Sequence, residues 1–135
     1  MKRETAIKTA AKWWADKLRQ RAPHDNGDKS RASVFACVLA DIGSDDIQED
    51  QLTVFTRELE NGIRKAMDEN ERCVWLFCDY HPVPILREAA EKAGISTMNF
   101  PYKTDMEIEQ KGDDVYVVNV SDGYAHPYEK VKPCE

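Results

Sequence analysis

The chain has 135 residues, of which 41% are hydrophobic and 33% are charged, and its formal net charge is -6 with a pI near 5.1. This length and composition fit one folded domain, residues 1–135, and exclude a disordered chain. The acidic composition argues against binding to duplex nucleic acid, because proteins that bind duplexes present a basic face.

The longest apolar run has six residues, and the start MKRETAIK contains no apolar core of a signal peptide. We therefore expect no membrane partner and a cytoplasmic location. The four cysteines, Cys37, Cys73, Cys78 and Cys134, show no CxxC spacing. They are expected to be reduced thiols, and neither a cofactor nor a bound metal is predicted.

Residues 3–21 are predicted to form an amphipathic helix, because Ile7, Trp14 and Leu18 recur at helical spacing with Lys and Arg between them. Trp13 lies about a hundred degrees from Trp14 around that helix. It either widens the buried stripe or faces a ligand or partner.

Turn-forming residues fill the segment 22–30, which we interpret as a loop that caps the next helix at Asp28 or Ser30. A short helix is predicted from Val34 to Ile42, and Gly43 ends it. After an acidic connector, a longer helix is predicted over 52–70. Its outer face carries charges of both signs and needs no partner to explain it.

Residues 73–78, CVWLFC, are predicted to form a central strand that is buried on both faces, because six apolar residues follow one another. Trp75, Leu76 and at least one neighbouring cysteine should be buried. Pro82 or Pro84 then opens a helix that ends at Gly94 and packs on this strand through Ile85, Leu86 and Ala89.

Residues 95–102 are predicted to be a strand or an extended crossing. A half-exposed strand at 104–110, a hairpin loop at 111–114 and a return strand at 115–120 follow. The sequence therefore predicts an α+β fold of α/β-like character. N-terminal helices precede a β-α-β-β unit, and a small mixed sheet is flanked by helices.

Two loops, 79–82 and 122–127, each follow a predicted strand and contain Asp, Tyr, His and Pro in the same order. Asp, Gly and Pro are also common in ordinary turns, and tyrosine is often half-buried at the end of a strand. If both strands end at the same end of the sheet, the loops would form one aromatic pocket. The predicted ligand-binding residues are Trp13, Asp79, Tyr80, His81, Tyr102, Lys103, Asp122, Tyr124 and His126.

Such a pocket suits a nucleotide-type small molecule. Bases stack on aromatic rings, carboxylates such as Asp79 and Asp122 accept hydrogen bonds from exocyclic amines, and Lys103, Arg87 or helix N-terminal amides could hold phosphate.

Five segments, AAKWWADKL (10–18), HDNGD (24–28), DYHP (79–82), FPYKT (100–104) and DGYAHP (122–127), resemble the motifs of a family of small proteins carried by prophages of gut Firmicutes. The resemblance spans nearly the whole chain. It implies a phage setting in which small accessory proteins are often counter-defence factors. A sponge that sequesters a nucleotide immune signal is therefore our first hypothesis.

Two alternatives from other classes stay open. The chain could bind a host defence effector, such as a CRISPR nuclease, through an acidic surface on the helix at 52–70. It could instead be a phosphodiester hydrolase in which the three histidines bind a divalent metal or act as general acid and base. These residues would be His24, His81 and His126, together with Asp25, Asp79 or Asp122. No recognised catalytic spacing is present, so no catalytic residue is assigned. Assembly into a homo-oligomer is also left open.

Overall fold

A computed structural model describes residues 1–20, 47–69, 72–79, 81–101, 103–122 and 128–133. Within these ranges it contains helices α1 (Arg3–Gln20), α2 (Glu49–Asp68) and α3 (Pro84–Ala93), a 3-10 turn (Thr97–Asn99), and strands β1 (Cys73–Cys78), β2 (Thr104–Gly112), β3 (Val115–Asp122) and β4 (Glu129–Lys130). The predicted α+β class with N-terminal helices is confirmed. The predicted loop at 22–30 and the short helix after it lie outside the described residues, as do Cys37 and Cys134.

The four described strands form one antiparallel sheet in the order β1-β2-β3-β4. The prediction of a mixed sheet is wrong in this respect. Of the two alternatives for 95–102, a strand or an extended crossing, the strand is not formed in the described part of that segment. That segment holds the 3-10 turn instead, with the Ser96 hydroxyl accepting a hydrogen bond from the Met98 amide. After α3 and this turn, β2 pairs antiparallel beside β1.

Strand β1 lies at the edge of this four-stranded sheet, and its side chains alternate between a buried and an open face. Val74, Leu76 and Cys78 are buried, whereas 47% of Trp75 and 42% of Phe77 are exposed. The predictions for Leu76 and for one cysteine are confirmed, but the prediction for Trp75 is wrong. The physical reason is that the helices in the described part of the chain pack on only one face of this antiparallel sheet.

The helices form one layer in which α1 packs on β3 and α2, while α2 also packs on α3 and, to a lesser extent, on β1. The predicted apolar stripes of α1 and α2 are buried. Helix α3 is bounded by Pro84 in its first turn and by Gly94 in the left-handed conformation (φ 71°), as predicted. Its main partner is α2 rather than β1, which corrects the predicted packing.

The first two helices are also joined by hydrogen bonds and ion pairs near the surface. Arg19 donates to both carboxylate oxygens of Glu49 at 2.9 and 3.0 Å, and Arg64 reaches Glu4 at 2.9 Å. The Asp114 carboxylate accepts from the Arg3 amide at 2.8 Å, so the β2–β3 hairpin caps α1. Of the helices that the structure describes, none has the length and apolarity needed to cross a bilayer.

Candidate functional site

Strands β1 and β3 end at the same end of the sheet, on either side of β2. Thr104, the first residue of β2, pairs with Cys78 of β1 on one side and with Asp122 of β3 on the other. Since β1 and β3 are both antiparallel to β2, they run in the same direction and deliver their following loops to the same end. The topological condition that the sequence set for a shared pocket is therefore present.

An ion pair occupies this end of the sheet. The Lys103 Nζ lies 2.7 Å from Asp79 Oδ1, and the lysine side chain is only 19% exposed while that of the aspartate is 53% exposed. The chain thus brings together two predicted ligand-binding residues that are 24 positions apart. The lysine that was assigned to phosphate therefore already has a carboxylate partner.

Lys103 has a left-handed backbone with a φ of 57°, a conformation that costs a non-glycine residue energy and is more common at functional sites. The next residue, Thr104, is polar yet 1% exposed. This strained, ion-paired corner is the most distinctive local geometry at the end of the sheet.

A tight turn carries the chain from β1 into α3. Cys78 forms an isolated antiparallel bridge with Pro82, and the Val83 amide donates to the Phe77 carbonyl at 3.1 Å. His81 is exposed within this turn. The turn therefore holds Asp79 and His81 beside the end of the sheet.

Trp13 lies on α1 and packs, partly buried, against the core. This position favours the first of its two predicted roles, a wider buried stripe on the helix. Its ring is 5.1 Å from that of Trp14, and the Lys17 ammonium lies 5.1 Å from its centroid. Trp14 in turn contacts Phe100, whose ring is 5.9 Å away. Trp13 is thus linked through the core to the segment that leads into Lys103.

The remaining predicted ligand-binding residues, Tyr80, Tyr102, Tyr124 and His126, lie outside the described residues, as does His24. Asp122 is placed by its backbone pairing with Thr104 alone. Within the described ranges, no group of three or more potential metal-ligating side chains is present. Two surface clefts of about 350 and 380 Å³ lie along the helices, and neither is lined by a predicted site residue.

A second surface, which the sequence did not predict, is the face of the sheet opposite the helices. We call it the open face, defined by Trp75, Phe77, Asp105, Glu107 and Tyr128. The Tyr128 hydroxyl donates to Asp105 Oδ2 at 2.5 Å. The pKa of Tyr128 is raised to about 12. This hydrogen bond is the largest cause, and burial and the charges of the nearby carboxylates add to it. The sequence signal that could have indicated this face is the alternation of acidic residues along β2.

The outer face of α2 is the alternative protein-binding surface predicted from the sequence. Its Glu58 carboxylate is neutralised by two neighbouring cations. The Lys92 ammonium lies 3.4 Å from the Glu58 carboxylate, and the Arg57 guanidinium lies 3.7 Å from it. Such a mixture favours a solvated face.

A scan of the sequence against protein-family models gave no match, and a search of curated proteins gave none either.

Proposed function

We propose that the chain is a binding protein that takes a nucleotide-type ligand at the end of the sheet, between the loops that follow β1 and β3. The observation that supports the proposal is the register of Thr104 with Cys78 and Asp122, because it ends the strands that precede the two similar loops at the same end of the sheet. The resemblance to prophage-borne proteins suggests the biological role. There the chain would act as a counter-defence sponge that sequesters a nucleotide immune signal.

The charges at this end favour a ligand with both amines and phosphates. Asp79 can accept a hydrogen bond from an exocyclic amine of a base, which would release Lys103 toward a phosphate. Exchange of one anionic partner for another leaves the half-buried ammonium paired throughout. Base stacking on Tyr80 or Tyr124 would add about 1 to 3 kcal/mol per base.

The first experiment is a thermal-shift panel of mono-, di- and cyclic nucleotides with the full chain. A ligand at a hundredfold excess over its Kd should stabilise the fold by about 2.7 kcal/mol. The bound molecule is then released by heat denaturation and analysed by chromatography. Recovery of intact ligand supports a sponge, whereas recovery of a cleaved product would support the hydrolase alternative.

Variants then locate the site. Tyr80→Ala, Tyr124→Ala and Lys103→Gln should each weaken binding at least about tenfold, because each removes stacking or the phosphate contact. Lys65→Gln, which removes the same charge from the exposed side of α2, should bind as the parent does. Unchanged binding in all three site variants would contradict the proposal.

Trp13→Ala serves as a structural control. Because Trp13 packs against the core and against Trp14, we expect this variant to lower the melting temperature. The two tyrosine variants should leave the melting temperature nearly unchanged if those rings serve recognition. Equal losses of stability in all three would instead assign the tyrosines to the core.

A further inference from the structure

The open face combines exposed aromatic rings with carboxylates in one register. Phe77 lies opposite Asp105, and Trp75 lies opposite Glu107, on adjacent strands. Trp75 and Tyr128 are each 47% exposed. Large rings beside acids form a surface that attracts cations both by charge and by the ring quadrupole.

Two of these acids have no cationic partner in the described part of the chain. Glu107 accepts a hydrogen bond of 3.4 Å from the Asn119 side chain, and Asp105 accepts one from Tyr128. The other Asp105 oxygen is buried and receives no hydrogen bond from any described residue. The neighbouring Glu109, in contrast, pairs with Lys111 at 3.2 Å. The uncompensated negative charge is therefore concentrated beside the exposed rings.

The edge of β1 offers backbone groups next to this surface. The Arg72 carbonyl accepts from the Gln110 amide of β2, whereas the Phe77 carbonyl points the other way and accepts from Val83. Backbone groups alternate in direction along an antiparallel strand, so the amide and carbonyl of Trp75 point away from β2. Neither group has a backbone partner within the described ranges. An extended chain could pair with Trp75 here.

We propose that the β1 edge and the open face bind an extended, positively charged segment of a partner protein. The segment would add as a strand beside β1 at Trp75 and place a Lys or Arg side chain over the Trp75 ring, toward Glu107 and Asp105. Charge complementarity decides the occupant. A second copy of this acidic chain would bring like charges together, whereas a basic segment would neutralise them. This surface is independent of the proposed ligand site.

The test uses the full chain and a fluorescein-labelled peptide of alternating lysine and valine, with binding measured by fluorescence anisotropy at two salt concentrations. A glutamate–valine peptide is the charge control. We expect the lysine peptide to bind, more weakly at high salt, and the glutamate peptide not to bind. Equal binding of both peptides would overturn the charge argument.

Matched variants locate the surface. Glu107→Gln should lower the affinity for the lysine peptide about two- to fivefold, as expected for loss of one exposed ion pair. Glu60→Gln, which removes the same charge from α2, should leave binding unchanged. Trp75→Thr should weaken binding further because it removes the ring but keeps a strand-forming residue. Equal effects of Glu107→Gln and Glu60→Gln would place binding elsewhere and overturn the proposal.

A lysine–valine peptide that is N-methylated at alternate residues tests the added strand. It keeps its charge but cannot donate to the Trp75 carbonyl, so we expect roughly tenfold weaker binding. Unchanged affinity would overturn the strand pairing. Light scattering of the free chain provides the remaining check: a dimer that Trp75→Thr dissociates would identify a second copy as the occupant and overturn the basic-partner assignment.

Discussion

At the scale of single residues, the polar contacts of the open face have measurable titration behaviour. The Tyr128 hydroxyl donates a hydrogen bond to Asp105. This contact raises the pKa of Tyr128 to about 12 from a usual value of 10.0. Deprotonation of the folded state would place a phenolate beside a carboxylate. The protonated form is therefore favoured in the folded protein.

We predict that one tyrosine titrates near pH 12 and that Tyr128→Phe removes this component. The folded pKa is raised, so the stabilising effect of the contact is fully present below about pH 10 and is lost as the pH rises toward about 12. Ultraviolet absorbance during an alkaline titration measures the phenolate directly. A titration curve that is the same in Tyr128→Phe and the parent would contradict the assignment.

Adjacent residues of β1 should differ sharply in their effect on stability. Leu76 is fully buried, so Leu76→Ala should cost about 2 to 5 kcal/mol of unfolding free energy. Trp75 is nearly half exposed, and Trp75→Thr should cost less than about 1 kcal/mol. Urea denaturation measures both variants. A larger loss for Trp75→Thr than for Leu76→Ala would show that the open face is covered.

At the scale of elements, the close approach of α2 and α3 depends on one glycine. A Cβ added at Gly62 would lie 3.0 Å from Ile85 Cγ2, so this helical glycine leaves room for the isoleucine. The cost of glycine inside a helix is about 1 kcal/mol relative to alanine. Glycine at position 62 therefore lowers the helix propensity of α2 but allows closer contact between α2 and α3.

We predict that Gly62→Ala is neutral or destabilising in the parent but stabilises an Ile85→Ala background by about 0.5 to 1 kcal/mol. Ile85→Ala removes Cγ2 with the rest of the side chain beyond Cβ, so the steric conflict is lost and the gain in helix propensity remains. A double-mutant cycle by thermal or urea denaturation gives the coupling. Simple additivity of the two substitutions would show that α2 and α3 do not meet at this point.

At the scale of the whole molecule, surface ion pairs connect α1 to α2. The hydrogen bond from Arg19 lowers the pKa of Glu49 below its usual value of 4.5. A lowered folded pKa stabilises the fold above the unfolded pKa, and this contribution is lost as the pH falls through the folded value. Because both side chains are largely exposed, salt should weaken the contribution.

We predict that Glu49→Gln lowers the melting temperature slightly at pH 7 and that the difference from the parent disappears as the pH falls below about 4.5. Glu69→Gln removes the same charge from the other end of α2 and is the control for the loss of charge alone. Melting curves by circular dichroism across this pH range measure both. A constant difference for Glu49→Gln at all pH values would contradict the ion-pair account.

The sequence by itself determined the described helices α1, α2 and α3, because their apolar spacing and the cap at Gly94 are local properties. It also determined the half-exposed strand from Thr104, whose acids alternate with Met106 and Ile108. It could not determine where β1 lies in the sheet. An apolar run looks the same at an edge as at the centre, and only the antiparallel pairing with β2, with helices on one face, left Trp75 and Phe77 open.

For the candidate site, the sequence proposed two similar loops, and the tertiary structure decided that their strands end together. Contact between Asp79 and Lys103 depends on the β1–β2 register, a long-range property that no local pattern contains. The open face likewise depends on which strands become neighbours and which side the helices cover. Local periodicity specifies each element, but pairing and coverage place the charged and aromatic side chains relative to one another.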